Sequence, residues 1–259
     1  MSERTALMAG NWKMHLNHVE ATEHIQKLAS ALAPDVLTDV AVAVLPPFTS
    51  IPAVCAALQT TGLDITYGGQ DLSPHHGGAF TGDVSGAMLA ALGCRYVLVG
   101  HSERRQHHRE DDGTVRAKVQ AAFGHGLAPI LCVGEGLDVR RAGTHVQHTL
   151  AQLDAAVADL GESQARSLVV AYEPVWAIGT GEVATPADAQ EVCAAVRSRL
   201  GELYTTDVAQ TIRVLYGGSV KSSNIADITA QPDVDGALVG GASLDPDEFA
   251  TLCRRGAAR

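Results

Sequence analysis

The sequence predicts an α/β protein in which eight parallel strands close into a (β/α)8 barrel. Eight short apolar segments recur along the 259 residues, and segments with helical periodicity lie between them. Each apolar segment is nearly continuous in apolar residues, which is typical of a strand that is covered on both faces. The strand candidates are residues 6–10, 40–45, 63–66, 96–100, 128–134, 167–172, 212–218 and 235–241.

Two of the segments between strands carry clear helix start signals. Asn17 is followed three residues later by Glu20, which is the capping-box pattern. Thr185 suits an N-cap, Pro186 the first helical position, and Asp188 the positive end of the helix dipole. The apolar face predicted for the first of these helices consists of Ala21, Ile25, Leu28 and Leu32.

The domain organisation follows from the same pattern. Eight strand and helix pairs in about 250 residues match a closed barrel in number and length, and no linker-like stretch divides the chain. We therefore expect a single catalytic domain over residues 1–259. The alternative is an open doubly wound sheet, but GNWKM after the first strand has no G-x-G-x-x-G turn.

The amino-acid composition argues against several classes of binding partner and against a secreted protein. The formal net charge of −10 disfavours binding to nucleic acid or to an anionic bilayer. The first residues contain no signal-peptide core, and no segment has the length of a membrane span. Five widely spaced cysteines do not form a disulfide framework. We expect a soluble, cytoplasmic protein.

Polar residues follow several of the predicted strands. Asn11 and Lys13 follow the first strand, His101 and Glu103 the fourth, and Glu173 the sixth. In a parallel barrel these positions share one rim. A carboxylate base, an imidazole that polarises a carbonyl, and a cation that offsets an oxyanion form a set suited to proton transfer. Taken singly, each residue is equally explained as a surface charge, a cap or a lysine stem that covers apolar surface.

Two glycine pairs follow the seventh and eighth strands. Gly217 and Gly218 precede Ser219, and Gly240 and Gly241 end the eighth strand segment. This is the usual phosphate position in such barrels, because backbone N–H groups without a nearby Cβ approach an anion closely. The alternative is that these glycines merely turn the chain.

A base, a carbonyl polariser and a phosphate site together indicate abstraction of a proton next to a carbonyl. The intermediate requires protection from water, and the long segment 173–184 suits a closing lid. Its hinges are predicted at residues 174–176 and 182–184, and Gly179 is its predicted phosphate contact.

Five motifs together resemble the triosephosphate isomerase family, in the family's order and spacing. They are NWK (11–13), GHSERR (100–105), CVGE (132–135), YEPVWAIGTG (172–181) and YGGSV (216–220). The resemblance implies interconversion of dihydroxyacetone phosphate and D-glyceraldehyde 3-phosphate in glycolysis and gluconeogenesis, with no metal and no organic cofactor.

The resemblance also implies a role for each site residue. Glu173 is then the base, His101 the electrophile, and Glu103 a supporting carboxylate near the lysine. Asn11 and Lys13 contact the substrate. The implied phosphate-binding residues are Gly179, Ser219, Gly240 and Gly241.

The long loop at residues 68–83 resembles the family's dimer loop. The resemblance implies a homodimer in which Thr81 reaches into the neighbouring subunit and supports Asn11 and His101 there. Asp83 and His15 depart from the residues that are usual in the family, and Asp83 puts the detail of the dimer contact in question.

Three other functions stay open from the residues alone. A Schiff-base aldolase would use Lys13 or Lys221 as a nucleophile. A metal-dependent sugar-phosphate epimerase would draw on the pairs at 75–76 and 107–108, both His-His. The third alternative is a barrel without catalytic activity that binds a phosphate ligand or a partner protein.

Overall fold

A computed structural model of the chain describes residues 4–178 and 184–257. Eight parallel strands form a closed barrel in chain order, so the predicted fold class is confirmed and the open doubly wound sheet is wrong. The strands are β1 (Ala6–Asn11), β2 (Val40–Leu45), β3 (Ile65–Gly69), β4 (Tyr96–Val99), β5 (Ala128–Val133), β6 (Val169–Tyr172), β7 (Arg213–Tyr216) and β8 (Gly236–Val239).

Helices surround the barrel. Short 3-10 turns at Phe48–Ser50, Val175–Ala177 and Gly241–Leu244 follow β2, β6 and β8 at the rim. In the described ranges the α-helices are α1 (His18–Ala31), α2 (Val36–Asp39), α3 (Ile51–Thr61), α4 (Gly86–Ala91), α5 (Ser102–His107), α6 (Asp112–Gly124), α7 (Leu137–Arg141), α8 (His145–Val157), α9 (Glu162–Ala165), α10 (Pro186–Leu203), α11 (Thr206–Ala209), α12 (Ile225–Thr229) and α13 (Pro246–Ala257).

The core has two layers that are separated by the strands. Successive side chains of a strand point to opposite faces, so Leu7 and Ala9 lie inside the barrel while Ala6 and Met8 pack against the helices. All four side chains are buried. Because both faces are covered, the strands are continuously apolar. The inner layer consists of Leu7, Ala9, Ala43, Leu45, Tyr96, Leu98, Ile130, Cys132, Val169, Ala171, Leu215 and Leu238.

Both predicted helix start signals are confirmed. The Asn17 side chain accepts from the amide of Glu20 at 3.2 Å, and the Glu20 carboxylate accepts from the amide of Asn17 at 2.8 Å. Thr185 and Asp188 form the same reciprocal pair, with Pro186 as the first residue of α10. A cap of this kind stabilises a helix by about 1 kcal/mol.

The third strand differs from the prediction. It was predicted at 63–66, but β3 spans Ile65–Gly69, and Gly68 and Gly69 pair with Tyr96 and Val97 of β4. A Cβ at position 68 would lie 2.1 Å from the Tyr96 carbonyl oxygen. Position 68 therefore requires glycine, because the neighbouring backbone leaves no room for a side chain, and the following loop begins at Gln70.

The loop between β3 and α4 is closed at its base and exposed at its tip. The amide of Ser73 donates to the Val84 carbonyl at 2.8 Å, and the Ser73 hydroxyl donates to Asp83 at 2.6 Å. Phe80 stacks on His75 with ring centroids 3.8 Å apart, yet it remains 43% exposed. The tip thus presents an aromatic ring to its surroundings.

Within residues 4–178 and 184–257, none of the helices combines the length and the apolar character needed to cross a membrane. The five cysteines are free thiols, and four of them are buried.

The close contact at Gly68 predicts a large effect of a single methyl group. We expect Gly68→Ala to destabilise the fold by about 3 kcal/mol, because the added Cβ meets backbone and not a flexible side chain. Gly77→Ala is the control, since a Cβ there has no heavy atom within 4 Å. Urea denaturation of both variants measures the difference, and equal stability would contradict this account of β3.

Candidate active site

The strand ends meet at a cleft of about 730 Å³. This volume suits a small ligand that is largely enclosed by protein. Its lining brings together most of the side chains predicted for the rim. The residues are Asn11, Lys13, His101, Glu173, Ile178, Gly217, Gly218, Ser219, Val220, Lys221, Leu238, Gly240, Gly241, Ala242 and Glu248.

Glu173 directly follows β6 and is only 2% exposed. The Ser102 amide donates to its Oε2 at 2.9 Å and the Ser102 hydroxyl to its Oε1 at 3.2 Å. His101 Nε2 lies 3.0 Å from Oε1. Burial raises the pKa of Glu173, but the His101 ring and the hydrogen bonds from Ser102 outweigh it, so this pKa lies below its ordinary value. The carboxylate is therefore ionised at neutral pH.

His101 is the N-cap residue of α5. Its Nδ1 accepts from the Glu103 amide at 3.2 Å, which assigns the ring proton to Nε2 on the side of Glu173. Burial lowers the pKa of His101 and the Glu173 carboxylate raises it, with a net upward shift. The upward shift depends on the position of Glu173. If Glu173 moves away, its upward contribution is lost.

Lys13 has a strained backbone. Its φ of +51° lies in the left-handed region, which costs a non-glycine residue about 1–3 kcal/mol. Its amide donates to Asn11 Oδ1 at 3.0 Å, and its ammonium lies 2.5 Å from Glu103 Oε1. Glu103 is thus placed behind the lysine and is not part of the cleft lining. The loop holds one cation at the rim in a defined position.

The ion pair of Lys13 with Glu103 bears on the aldolase alternative. An attacking lysine needs a free amine lone pair, whereas the Lys13 nitrogen is engaged with Glu103 Oε1 at 2.5 Å. The other lysine of the aldolase alternative, Lys221, also lines the cleft. The structure therefore disfavours Lys13 as a Schiff-base nucleophile.

The histidine pairs do not assemble into a ligand set. His75 stacks on Phe80, and His76 Nδ1 lies 2.9 Å from His125 Nε2. In the part of the chain that the structure describes, no group of three or more His, Cys, Asp or Glu residues is arranged to hold a metal ion.

The two glycine pairs have different surroundings. A Cβ at Gly217 would lie 3.0 Å from Glu173 Cγ, and a Cβ at Gly218 would lie 2.1 Å from the Tyr216 hydroxyl oxygen. The first pair therefore makes room for the base and for its neighbours. A Cβ at Gly241 would meet nothing within 4 Å, so the backbone there is open to a ligand.

Ser219 completes this side of the cleft. Its hydroxyl donates to the Ala177 carbonyl at 2.8 Å, at the end of the 3-10 turn that follows Glu173. The hydroxyl therefore connects the seventh-strand loop to the predicted lid.

The first predicted lid hinge is attached to a buried carboxylate. The Trp176 indole and the Tyr172 hydroxyl both donate to Glu135 Oε1, at 2.8 and 3.0 Å. Burial raises the pKa of Glu135, and these hydrogen bonds offset this only in part. Because Tyr172 and Trp176 flank Glu173, the base and the hinge share one anchor. Gly179 and the second hinge up to residue 183 lie outside the described residues.

Comparison with known proteins shows the family. A sequence model described as triosephosphate isomerase matches residues 6–256. The triosephosphate isomerase of Streptomyces coelicolor is 61% identical over 254 residues, 98% of each chain. That of Mycobacterium tuberculosis H37Rv is 59% identical and that of Nocardia farcinica 57% identical, both over 249 residues, 96% of this chain and 95% of the relative. The chain belongs to the triosephosphate isomerase family.

Family membership confirms the resemblance that the five motifs indicate. Within one chain, the cleft contains Asn11, Lys13, His101 and Glu173, but Thr81 is exposed at the tip of the β3–α4 loop and does not line it. The phosphate-side residues Ser219, Gly240 and Gly241 do line it.

Sequence reasoning assigned no role to Ser102, Glu135 or Gln70. Ser102 stands at the rim between two residues that were selected, and Glu135 lies two residues after the end of β5. Both could have been found from their position after a strand. Gln70 was missed because β3 was predicted to end at residue 66, so this residue did not directly follow the predicted strand.

The contacts of His101 predict how its pKa responds to substitution. We expect Glu173→Gln to lower the pKa of His101, because the variant removes the main upward contribution and leaves the burial that lowers it. Glu103→Gln should lower it less, since Glu103 contributes less. NMR titration of the imidazole measures both values. A pKa of His101 that is unchanged in Glu173→Gln would refute the assigned contact.

Proposed function

We propose that this chain interconverts dihydroxyacetone phosphate and D-glyceraldehyde 3-phosphate through an enediol or enediolate intermediate, in glycolysis and gluconeogenesis. One observation carries the proposal: an ionised carboxylate and an imidazole N–H lie 3.0 Å apart in the cleft that also holds Lys13 and the open Gly240 and Gly241 backbone. Family membership supports the same reaction.

In the proposed mechanism, Glu173 removes a proton from the carbon next to the carbonyl. His101 donates its Nε2–H to the carbonyl oxygen as negative charge develops there, and the Lys13 ammonium offsets that charge. Glu173 then returns the proton to the former carbonyl carbon, while His101 Nε2 takes up the proton of the other hydroxyl group, so that the new carbonyl forms and His101 regains the proton that it gave. Substrate and product are isomers, so the reaction requires no external oxidant or reductant.

Glu173 has to leave its present partners in order to act. Its oxygens accept from Ser102 and contact His101, and the side chain is almost fully buried. When the carboxylate turns toward the substrate, His101 loses the main contribution that raises its pKa. The ring then stays neutral and serves as a hydrogen-bond donor.

We propose that the phosphate is bound by backbone N–H groups of Ser219, Gly240 and Gly241 and by Gly179 of the lid, while Asn11 contacts the substrate. The Gly241 position is open, and the Lys13 Cε would lie 3.4 Å from a Cβ at Gly240, so the cation is close to this site. Closure of the segment after Glu173 would exclude water from the intermediate.

The proposed assembly is a homodimer of single-domain barrels in the cytoplasm. A groove beside the cleft is lined by Lys13, Met14, Phe48, Gln70 and His107 among others, and Met14 is 93% exposed. Met14 and Phe48 give this otherwise polar groove an apolar part. We propose that the loop tip of a second copy, with Phe80 and Thr81, occupies it. The acidic surface does not favour nucleic acid.

The assigned base predicts the outcome of one substitution. Glu173→Gln should retain the fold but lower turnover about 10²- to 10⁴-fold, the usual contribution of a positioned general base. A coupled assay that interconverts the two triose phosphates measures this. Glu162→Gln, on the exposed surface of α9, serves as the control and should keep full activity. Near-normal turnover of Glu173→Gln would overturn the mechanism.

The proposed dimer groove identifies a position at which a substitution should dissociate the two subunits. Met14→Glu should give a monomer, because a charge would enter an apolar contact. Sedimentation velocity measures the association state. Val19→Glu is the matched control, since Val19 is also apolar and 55% exposed but lies on α1 outside the groove. A dimeric Met14→Glu would place the interface elsewhere.

A further inference from the structure

Gln70 is the first residue after β3 and lies at the rim of the barrel. Its side-chain nitrogen donates to two main-chain carbonyl oxygens, that of Lys13 at 2.7 Å and that of Leu45 at 2.8 Å. Leu45 is the last residue of β2, and its carbonyl also accepts from the Trp12 amide at 3.1 Å. Gln70 therefore joins the ends of two strands to the loop that carries Lys13.

Lys13 needs such a partner because its backbone conformation is unfavourable for a residue with a side chain. Its φ is +51°, and an unrestrained lysine would leave this region. The surroundings hold its amide through Asn11 Oδ1 at 3.0 Å and its ammonium through Glu103 at 2.5 Å. The carbonyl is the third point of attachment, and Gln70 supplies the contact there.

We propose that Gln70 is a positioning residue for the isomerisation, acting through the Lys13 backbone. Gln70 anchors the Lys13 carbonyl to the end of β2 and thereby keeps the ammonium at its place in the cleft. This inference rests on the proposed function, because it assumes that the Lys13 charge acts on the reacting oxygen.

The chemistry of the side chain explains why an amide is required at position 70. An amide nitrogen carries two hydrogens and can donate to both carbonyl oxygens at once. A methionine of similar length donates none. A glutamate has the same shape, but its ionised carboxylate would bring further negative charge against two carbonyl oxygens, and its neutral form could donate to only one of them.

The experiment compares Gln70→Met and Gln70→Glu with the parent enzyme by steady-state kinetics. For Gln70→Met we expect kcat/KM to fall about 10- to 100-fold, mostly through kcat, because displacing a catalytic group by about 1 Å costs up to 10²-fold. The control is Gln59→Met, on the exposed face of α3, which should leave the kinetics unchanged. Circular dichroism and sedimentation establish that fold and association state are retained.

The pH dependence of Gln70→Glu separates positioning from a purely structural role. Its activity relative to the parent should rise as the pH falls from 8 to 5, because partial burial and two facing carbonyl oxygens raise the pKa of a glutamate at this position, and the protonated carboxyl regains one hydrogen bond. A relative activity that stays constant with pH would overturn the inference, as would a kcat/KM of Gln70→Met within twofold of the parent. If Gln70→Met does not fold, the Gln70→Glu profile decides alone. An inactive parent enzyme would refute the proposed function itself, whereas an active parent with neutral Gln70 variants refutes only this inference.

Discussion

Closure of an all-parallel barrel forces the carboxyl ends of eight strands onto one rim, and the candidate site depends on this constraint. Three of the site residues are far apart in the chain, but each lies at a strand end: Asn11 is the last residue of β1, Glu173 directly follows β6, and His101 comes two residues after β4. The strands hold their register through main-chain hydrogen bonds, and the inner apolar layer fills the barrel beneath the site. The rim is therefore a rigid platform on which short loops place polar groups.

The polar groups on this platform form one connected network. Glu103 links its two halves, because its amide donates to His101 Nδ1 and its carboxylate pairs with the Lys13 ammonium. His101 in turn faces Glu173. A movement of Glu173 would therefore change the surroundings of His101 and, with them, the pKa of its ring. The strained Lys13 backbone persists because its amide, carbonyl and ammonium are all held.

Much of the fold and part of the site could be predicted from the sequence. Continuous apolar segments predicted seven of the strands close to their observed positions, since burial on both faces leaves a clear pattern. β3 was misplaced because Gly68 and Gly69 look like loop residues, whereas both pair with β4 and the Tyr96 backbone requires glycine at position 68. That error also concealed Gln70. The local sequence around Gly68 does not indicate that a carbonyl oxygen of the neighbouring strand lies so close.

The sequence by itself determined the family, the alternation of strand and helix, and the residue types available at the rim, because these depend on local composition and on motifs in order. Only the tertiary structure decided which atoms meet: that Glu173 rests against Ser102 and His101, that Glu135 anchors Trp176, and that Gln70 holds the Lys13 carbonyl. The hydrogen bonds among these contacts join residues that are 41 to 71 positions apart. Their geometry follows from strand register and packing, which a one-dimensional pattern does not contain.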